Sequence, residues 1–373
     1  MKKDNIAICL LSYGISGAEK RMFRIASLLN SVNKKVLFII NSELYLAAQN
    51  DQELSQRMKT IDNEGCLIII SDNKKIKSRL INLLLLNIKF VVLLRKFNIG
   101  VVHLVLNGIF TSFGAKIARR KVIFEVTSPD VAKSLTKGKL KCFRRNIDKI
   151  IAVSPTVSNI LTSNCMENNE EKMVSKITCS PIPFFIKPED DWSVVKENLI
   201  VFASRFIERK NPVLFAEAIK LFLDKRKDWR IAILGSGPLK EQIEAILIDY
   251  INSGVVEIKY TEKLYWYLSR SKIFVSLIYP DNYPSQSVLE AMAMKNAIVA
   301  TNVGSTSKLV TSANGVLIDK FDKIEVYEKL LKLSSNDDLI MHMGEESVKK
   351  IDKDFSSTIY INNLLETYNE VIL

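Results

Sequence analysis

The sequence predicts two α/β domains, each built on a doubly wound parallel sheet. Three observations carry this expectation. Short apolar runs of strand length recur along the chain, separated by segments long enough for crossover helices. A length of 373 residues exceeds one small core and suits two. A stretch with three prolines and neither helical nor strand period, Cys179 to Ser193, divides the runs into two series.

In the first series Asn5 to Ser12 is a near-continuous apolar run, as expected of a parallel strand buried on both faces. The loop Gly14 to Glu19 then opens a helix whose apolar face carries Met22, Ile25, Ala26 and Leu29. Strand, glycine turn and helix form an arrangement that lets backbone N–H groups approach a phosphate, although a plain βα turn has the same look. Further strands are expected at Lys35–Ile40, Leu67–Ile70, Val101–Leu106, Val122–Thr127 and Ile150–Val153. The two histidines, His103 inside an apolar run and His342 in a polar region, suggest no catalytic role.

The second series has runs at Leu199–Ala203, Arg230–Leu234, Val255–Ile258, Ile273–Leu277 and Ala297–Thr301. The expected division is a first domain over residues 1–182, a linker over 183–196, a second domain over 197–354 and a C-terminal helix over 355–373.

Ligands of such sheets bind beyond the carboxyl ends of strands. After the first strand of the second series come Arg205 and Lys210, two cations five residues apart that can converge on one diphosphate, the Arg as a planar fork and the Lys as a point charge. After the next comes Leu234-Gly235-Ser236-Gly237-Pro238, which lacks the third glycine of a dinucleotide fingerprint. The stretch from Tyr279 to Gly304 reads as loop, short helix (Ser287 to Met294), strand and loop. Its first helical turn offers N–H groups at Ser285, Gln286 and Ser287 to an anionic oxygen, and Glu290 lies one turn further on as an acceptor for hydroxyls. A phosphate acceptor beside a diol acceptor suits a nucleotide sugar.

Composition excludes several classes. Hydrophobic residues at 47% and charged residues at 25% describe a globular chain, not a disordered one. The cysteines, Cys9, Cys66, Cys142, Cys165 and Cys179, are odd in number and lack a Cys-x-x-Cys pair, so free thiols in a reducing compartment and no metal site are expected. The start of the chain lacks the pattern of a signal peptide, and no export is expected. The net charge of +12 sits in the first half: residues 1–186 hold 29 Lys and Arg against 14 Asp and Glu, the remainder 24 against 27. No nucleic-acid recognition motif accompanies it, so no nucleic-acid partner is expected. The segment Lys74 to Lys96, basic at its ends and leucine-rich between, suits either an anionic membrane surface or a crossover helix packed on the sheet. Its apolar middle, Leu80 to Leu94, falls short of the roughly 20 residues that span a bilayer.

The residues from 199 to 304 resemble the retaining glycosyltransferases of family four, and the resemblance extends over nearly the whole chain. Arg205-Phe206 followed by Lys210-Asn211-Pro212 is similar to the family loop whose Arg and Lys hold the leaving diphosphate. Glu290-Ala291-Met292-Ala293 matches the second half of the family's nucleotide-sugar signature, where the Glu takes the ribose. By spacing, the first Glu of that signature falls on Asn282, with Asp281 beside it, a departure from the pattern. Gly17 looks like the first-loop glycine near the diphosphate, and Gly235 and Gly237 like a turn on the nucleotide. Ser16, and Ser128 and Asp130 in a loop where the family often has a His, fall on the acceptor and sugar side.

The resemblance implies a GT-B architecture, with two Rossmann-like domains facing a central cleft and the C-terminal helix crossing back to the first. It implies a retaining, metal-independent transferase without cofactor, moving a sugar from a nucleotide sugar, UDP-linked before GDP-linked, to a glycan or lipid-linked glycan acceptor. The expected setting is cell-surface polysaccharide or lipopolysaccharide synthesis on the cytoplasmic face of a bacterial membrane. A nucleotide-sugar epimerase of the same fold and a nucleotide-binding protein without catalysis are the alternatives; the first would need acid/base residues that are not apparent.

Overall fold

The computed structural model of the protein describes residues 5–31, 36–70, 78–180, 194–283 and 285–372. The chain forms two compact units, Met1–Ile182 together with Tyr360–Leu373, and Pro183–Ile359. Most of the expected linker 183–196, and Lys74, Lys75 and Lys77 of the basic segment, lie outside the described residues.

The first unit holds β1 (Asn5–Leu11), β2 (Val36–Asn41), β3 (Leu67–Ile70), β4 (Ile99–Leu106), β5 (Lys121–Val126), β6 (Lys149–Ala152) and β7 (Ile177–Cys179). They form one parallel sheet in the order β3-β2-β1-β4-β5-β6-β7. The order reverses between β1 and β4, so the loops after these two strands diverge. The helix Ser357–Ile372 also belongs to this unit, burying Tyr360, Ile361, Leu364 and Tyr368. Its Tyr368 hydroxyl lies 2.8 Å from His103 Nδ1 inside the sheet, and Glu370 pairs with Lys149 at 2.9 Å. Burial holds the His103 ring at a pKa of about 4, well below its usual value, so the ring is neutral. His103 is thus a core residue, partnered by the C-terminal helix.

The second unit holds β8 (Glu197–Ala203), β9 (Arg230–Leu234), β10 (Val256–Lys259), β11 (Ser271–Ser276), β12 (Ala297–Thr301) and β13 (Gly315–Ile318), again all parallel, in the order β10-β9-β8-β11-β12-β13. Successive side chains of a strand point to opposite faces, which is why these runs are continuously apolar. Ile200, Phe202, Ile273, Val275 and Val299 pack on one face with Phe215 and Phe222 of the helix Pro212–Lys225. Val201, Phe274, Ile298 and Ala300 pack on the other with Val288, Leu289 and Met292 of the helix Gln286–Ala293.

Two strands go beyond the expectation. β7 and β13 are edge strands of three and four residues. At this length neither offers a run long enough to show a period.

Candidate active site

In the second sheet β8 and β11 are neighbours, paired through Val201 to Phe274 and Phe202 to Val275, while the chain runs outward from them in both directions. At such a reversal the loops beyond the two strands part and leave a crevice. Here those loops are the segment carrying Arg205 and Lys210 and the segment leading into the helix Gln286–Ala293.

The two loops are tied together. Asn211 adopts a φ of +51°, which Asn tolerates better than most residues, and donates from Nδ2 to the Leu277 carbonyl at 2.7 Å. Pro212 then opens the next helix at its first position, where a missing N–H costs nothing. The Tyr279 N–H donates to the Arg209 carbonyl at 2.9 Å, and Thr301 Oγ1 to the Ile278 carbonyl at 2.7 Å. The ends of β8, β11 and β12 thereby become one hydrogen-bonded rim.

Phe206, fully buried, anchors the cationic loop, while Arg205 next to it is exposed. Burial first, and then the positive charges of Arg209 and Arg205, lower the pKa of Lys210 from its ordinary 10.5 to about 8. Among the described residues neither Arg205 nor Lys210 forms a salt bridge. Two cations of one loop without a salt-bridge partner are electrostatically incomplete, and a bound phosphate group would complete them.

Gly235 and Gly237 support this loop from below. A Cβ on Gly235 would lie 1.9 Å from the Ser204 carbonyl oxygen, and one on Gly237 2.5 Å from that of Phe206. The Phe206 N–H donates to the Ser236 carbonyl at 2.8 Å. Both glycines are therefore accounted for by close contact with the backbone on either side of Arg205, whereas the sequence suggested a turn open to the nucleotide.

The helix begins at Gln286, one residue earlier than expected, with Ser285 as its cap residue, and its first intrahelical bond runs from Leu289 N–H to the Ser285 carbonyl at 3.1 Å. The N–H groups of Gln286, Ser287 and Val288 consequently have no acceptor within the helix. Ser285 makes no capping bond; its hydroxyl lies 3.4 Å from that of Ser287. Glu290 is buried on the same helix, its Oε1 accepting from Gln286 Nε2 at 3.3 Å, so the carboxylate is drawn toward the first turn.

Asn282, which stands where the resemblance puts the first Glu, is only 2% exposed. Its Oδ1 accepts from Ser276 Oγ at 3.2 Å, which turns the side chain into the sheet end. The neighbouring Asp281 is partly exposed, accepts from the Tyr283 N–H at 3.1 Å and rests on Gly304, where a Cβ would come within 2.2 Å of its carboxylate. Of the two, Asp281 is the side chain open to solvent.

The remaining candidates lie in the first unit. Ser16 and Gly17 follow β1 at that sheet's own reversal, and Ser128 and Asp130 follow β5, one strand further out. Ser16 N–H and Oγ both donate to Glu19 Oε2, at 2.9 and 2.5 Å, and Ser12 Oγ donates to Glu19 Oε1 at 2.5 Å. Glu19, absent from the expected site, is a buried organiser of this loop; the signal for it is Ser16-x-x-Glu19, the capping-box spacing at a helix start. Ser128 caps the helix Pro129–Lys137 by accepting from the Val131 N–H at 3.3 Å, and Asp130 is exposed in its first turn. Beyond its chain neighbours and its own helix backbone, no atom of the described residues comes within 4 Å of where a Cβ on Gly17 would stand.

The family model described as "Glycosyl transferases group 1" matches residues 197–336, the segment that holds the crevice. The capsular polysaccharide biosynthesis glycosyltransferase CapM of Staphylococcus aureus is 24% identical over 234 residues, 59% of this chain and 61% of that protein. A Campylobacter jejuni α-1,4-N-acetyl-D-galactosaminyltransferase, named for an undecaprenol diphosphate-linked glycan, is 25% identical over 190 residues, 48% of this chain and 50% of its own. The chain thus spans between half and two thirds of the length of these relatives. Anabaena HepE, solved with UDP and glucose, superposes with a TM-score of 0.72 over 98% of this chain and 99% of its own at 12% identity, a likeness of fold. Two all-parallel α/β units and this likeness make the architecture GT-B. The segment 197–336, which carries Arg205, Lys210 and Glu290, is thus similar to the group 1 glycosyltransferases.

Proposed function

We propose that the protein transfers a sugar from a nucleotide sugar, UDP-linked before GDP-linked, to a glycan or lipid-linked glycan in cell-surface polysaccharide synthesis. The observation that carries this reading is the pair Arg205 and Lys210, without a salt bridge among the described residues, across the β8–β11 crevice from a helix N-terminus and a buried Glu290. The named roles of CapM and of the Campylobacter enzyme support the glycan setting, and UDP in HepE supports the donor class.

In this reading the bond from the sugar C1 to the diphosphate oxygen breaks and negative charge grows on the leaving oxygens. Arg205 meets them as a fork, Lys210 as a point charge, and the first-turn N–H groups of Gln286 and Ser287 add fixed donors. The acceptor oxygen bonds to C1 on the face the diphosphate leaves, so configuration is retained, and the acceptor's proton passes to the leaving phosphate. Glu290 accepts from the ribose hydroxyls. Asp281 is the carboxylate available on the sugar side, and Ser16, Ser128 and Asp130 belong to the acceptor side. The reaction needs no metal and no cofactor beyond the donor. Among the described residues no helix is long and apolar enough to cross a membrane, so a lipid-linked acceptor would be met at a surface.

Thermal stabilisation by a panel of UDP-, GDP- and ADP-sugars tests the donor; a ligand at about 100 times its Kd adds about 2.7 kcal/mol of stability. Turnover of the stabilising donor in EDTA, with the product's anomeric configuration read by NMR, tests the reaction. An inverted product, or activity abolished by chelator, overturns the corresponding part.

Two consequences are measurable on the same assay. Lys210 serves only when protonated, and in the free enzyme it loses its proton above a pKa of about 8. Because kcat/KM reports the free enzyme, it should fall as pH rises through about 8 and stay level below. In Lys210→Arg, whose guanidinium stays charged, the fall should disappear. A profile identical in both proteins removes Lys210 from this role. Glu290→Gln should weaken nucleotide-sugar binding about ten- to a hundredfold, since an amide accepts less strongly from the ribose than a carboxylate. Wild type should prefer the ribonucleotide to its 2′-deoxy counterpart, and the variant should lose that preference.

A further inference from the structure

The helix Arg79–Lys96 is the most apolar long helix of the first unit, yet only Asn87, Phe90 and Leu94 of its 18 residues are buried. Leu80 is 79% exposed, Leu84 62%, Val92 59%, Ile88 51% and Ile81 49%. At 3.6 residues per turn Ile81, Leu84, Ile88 and Val92 fall within about 80° of one another, an apolar stripe about 17 Å long on the side away from the buried residues.

The helix is held with this face outward. Asn87 Oδ1 accepts from the Gly114 N–H at 2.6 Å, and its Nδ2 donates to the Leu83 and Phe110 carbonyls at 2.8 and 3.0 Å. Gly114 is small by necessity, since a Cβ there would come within 2.7 Å of the Asn87 carbonyl oxygen. Rotating the helix to hide the stripe would break the two bonds to Gly114 and Phe110 and expose Phe90 and Leu94. The helix links β3 to β4 as a crossover helix does, yet it leaves Leu80 and Leu84 exposed together with Ile81, Ile88 and Val92. The short helix Ser112–Ile117 packed beside it adds exposed Phe113 and Ile117.

Charge selects the occupant. The helix contains Arg79, Lys89, Arg95 and Lys96 and no Asp or Glu, and all four cations are exposed. Two copies of the chain meeting through this face about a twofold axis would bring the same cations together without an acid to pair them. A bilayer with anionic headgroups matches both features, apolar depth for the stripe and negative charge for its flanks. We propose that the helix Arg79–Lys96 docks the first unit on an anionic lipid surface, with Ile81, Leu84, Ile88 and Val92 sunk among the acyl chains. The proposal stands on the first unit alone and needs neither Arg205 nor Lys210.

Co-sedimentation of the full chain with vesicles of phosphatidylcholine alone, and with phosphatidylglycerol added, tests it. Wild type should pellet with the anionic vesicles and be released by salt. The exposed triple variant L84S/I88S/V92S should bind at least about tenfold more weakly, through lost apolar insertion. The triple variant K89Q/R95Q/K96Q should bind about a hundredfold more weakly and lose its salt dependence, through lost electrostatic attraction. An unchanged melting temperature of each variant shows that the fold is intact. Equal pelleting of L84S/I88S/V92S and wild type, or no pelleting of wild type on either vesicle, overturns the proposal. So does self-association in analytical ultracentrifugation that L84S/I88S/V92S abolishes, which would give the face to a second copy. Donor stabilisation reads the transferase assignment separately, so either result can fail without the other.

Discussion

Arg205→Ala and Lys210→Ala are each expected to lower kcat by about two to three orders of magnitude, the size of effect seen when one electrostatic stabiliser of a transition state is removed. In the proposed reaction the two cations at the end of β8 share one task, and no salt bridge among the described residues draws either away from it. Their charge is worth most as the leaving diphosphate gains charge, so the loss should appear in kcat more than in KM. Affinity for the bare nucleoside should fall far less, because base and ribose contacts do not involve them. The double variant should lose less than the product of the single losses, since both act on the same oxygens. Steady-state kinetics with nucleoside binding as the control decides this. Near-normal turnover in both single variants would falsify the assignment.

Gly235→Ala should destabilise the second unit by about 3 kcal/mol or more and lower its melting temperature by roughly 6–12 °C. The added methyl would meet the Ser204 carbonyl oxygen at 1.9 Å, and that atom is backbone, bracketed by the bond from Ser204 N–H to the Leu234 carbonyl at 3.0 Å. Relief requires the loop to move, and the loop carries Arg205, so activity should fall with stability. Gly17→Ala is the contrast. Beyond its own chain neighbours and helix backbone, nothing among the described residues lies within 4 Å of the new carbon, so its melting temperature should stay that of wild type. A loss of turnover in Gly17→Ala without a loss of stability would point to a ligand occupying that open space. A Gly235→Ala protein that melts within about 2 °C of wild type would show that the loop packing is softer than its geometry indicates.

Much of the fold was legible because it rests on local rules. A strand buried on both faces is apolar along most of its length, and β1, β2 and β12 announce themselves that way. Arg205, Lys210 and Glu290 were equally legible, since their residue types and spacing carry the chemistry wherever the backbone places them. β7 and β13 were not, because runs of three and four residues are too short to show a period.

What the chain could not disclose locally is which way a side chain turns once its neighbours arrive. Asn282 and Asp281 are adjacent and both polar; contact with Ser276 buries one, and contact with Gly304 leaves the other partly open. Gly235 and Gly237 looked like a ligand-facing turn, and only the backbone of the β8 loop shows what their missing side chains make room for. Glu19 required the folded loop to bring Ser12 and Ser16 onto one carboxylate. The leucines of the helix Arg79–Lys96 read equally well as core or as surface, because hydrophobicity records what a side chain avoids and not which partner covers it. Helix period and apolar content belong to the sequence; the outward face was decided by Asn87, whose hydrogen bonds to Phe110 and Gly114 fix the helix's rotation against its neighbours.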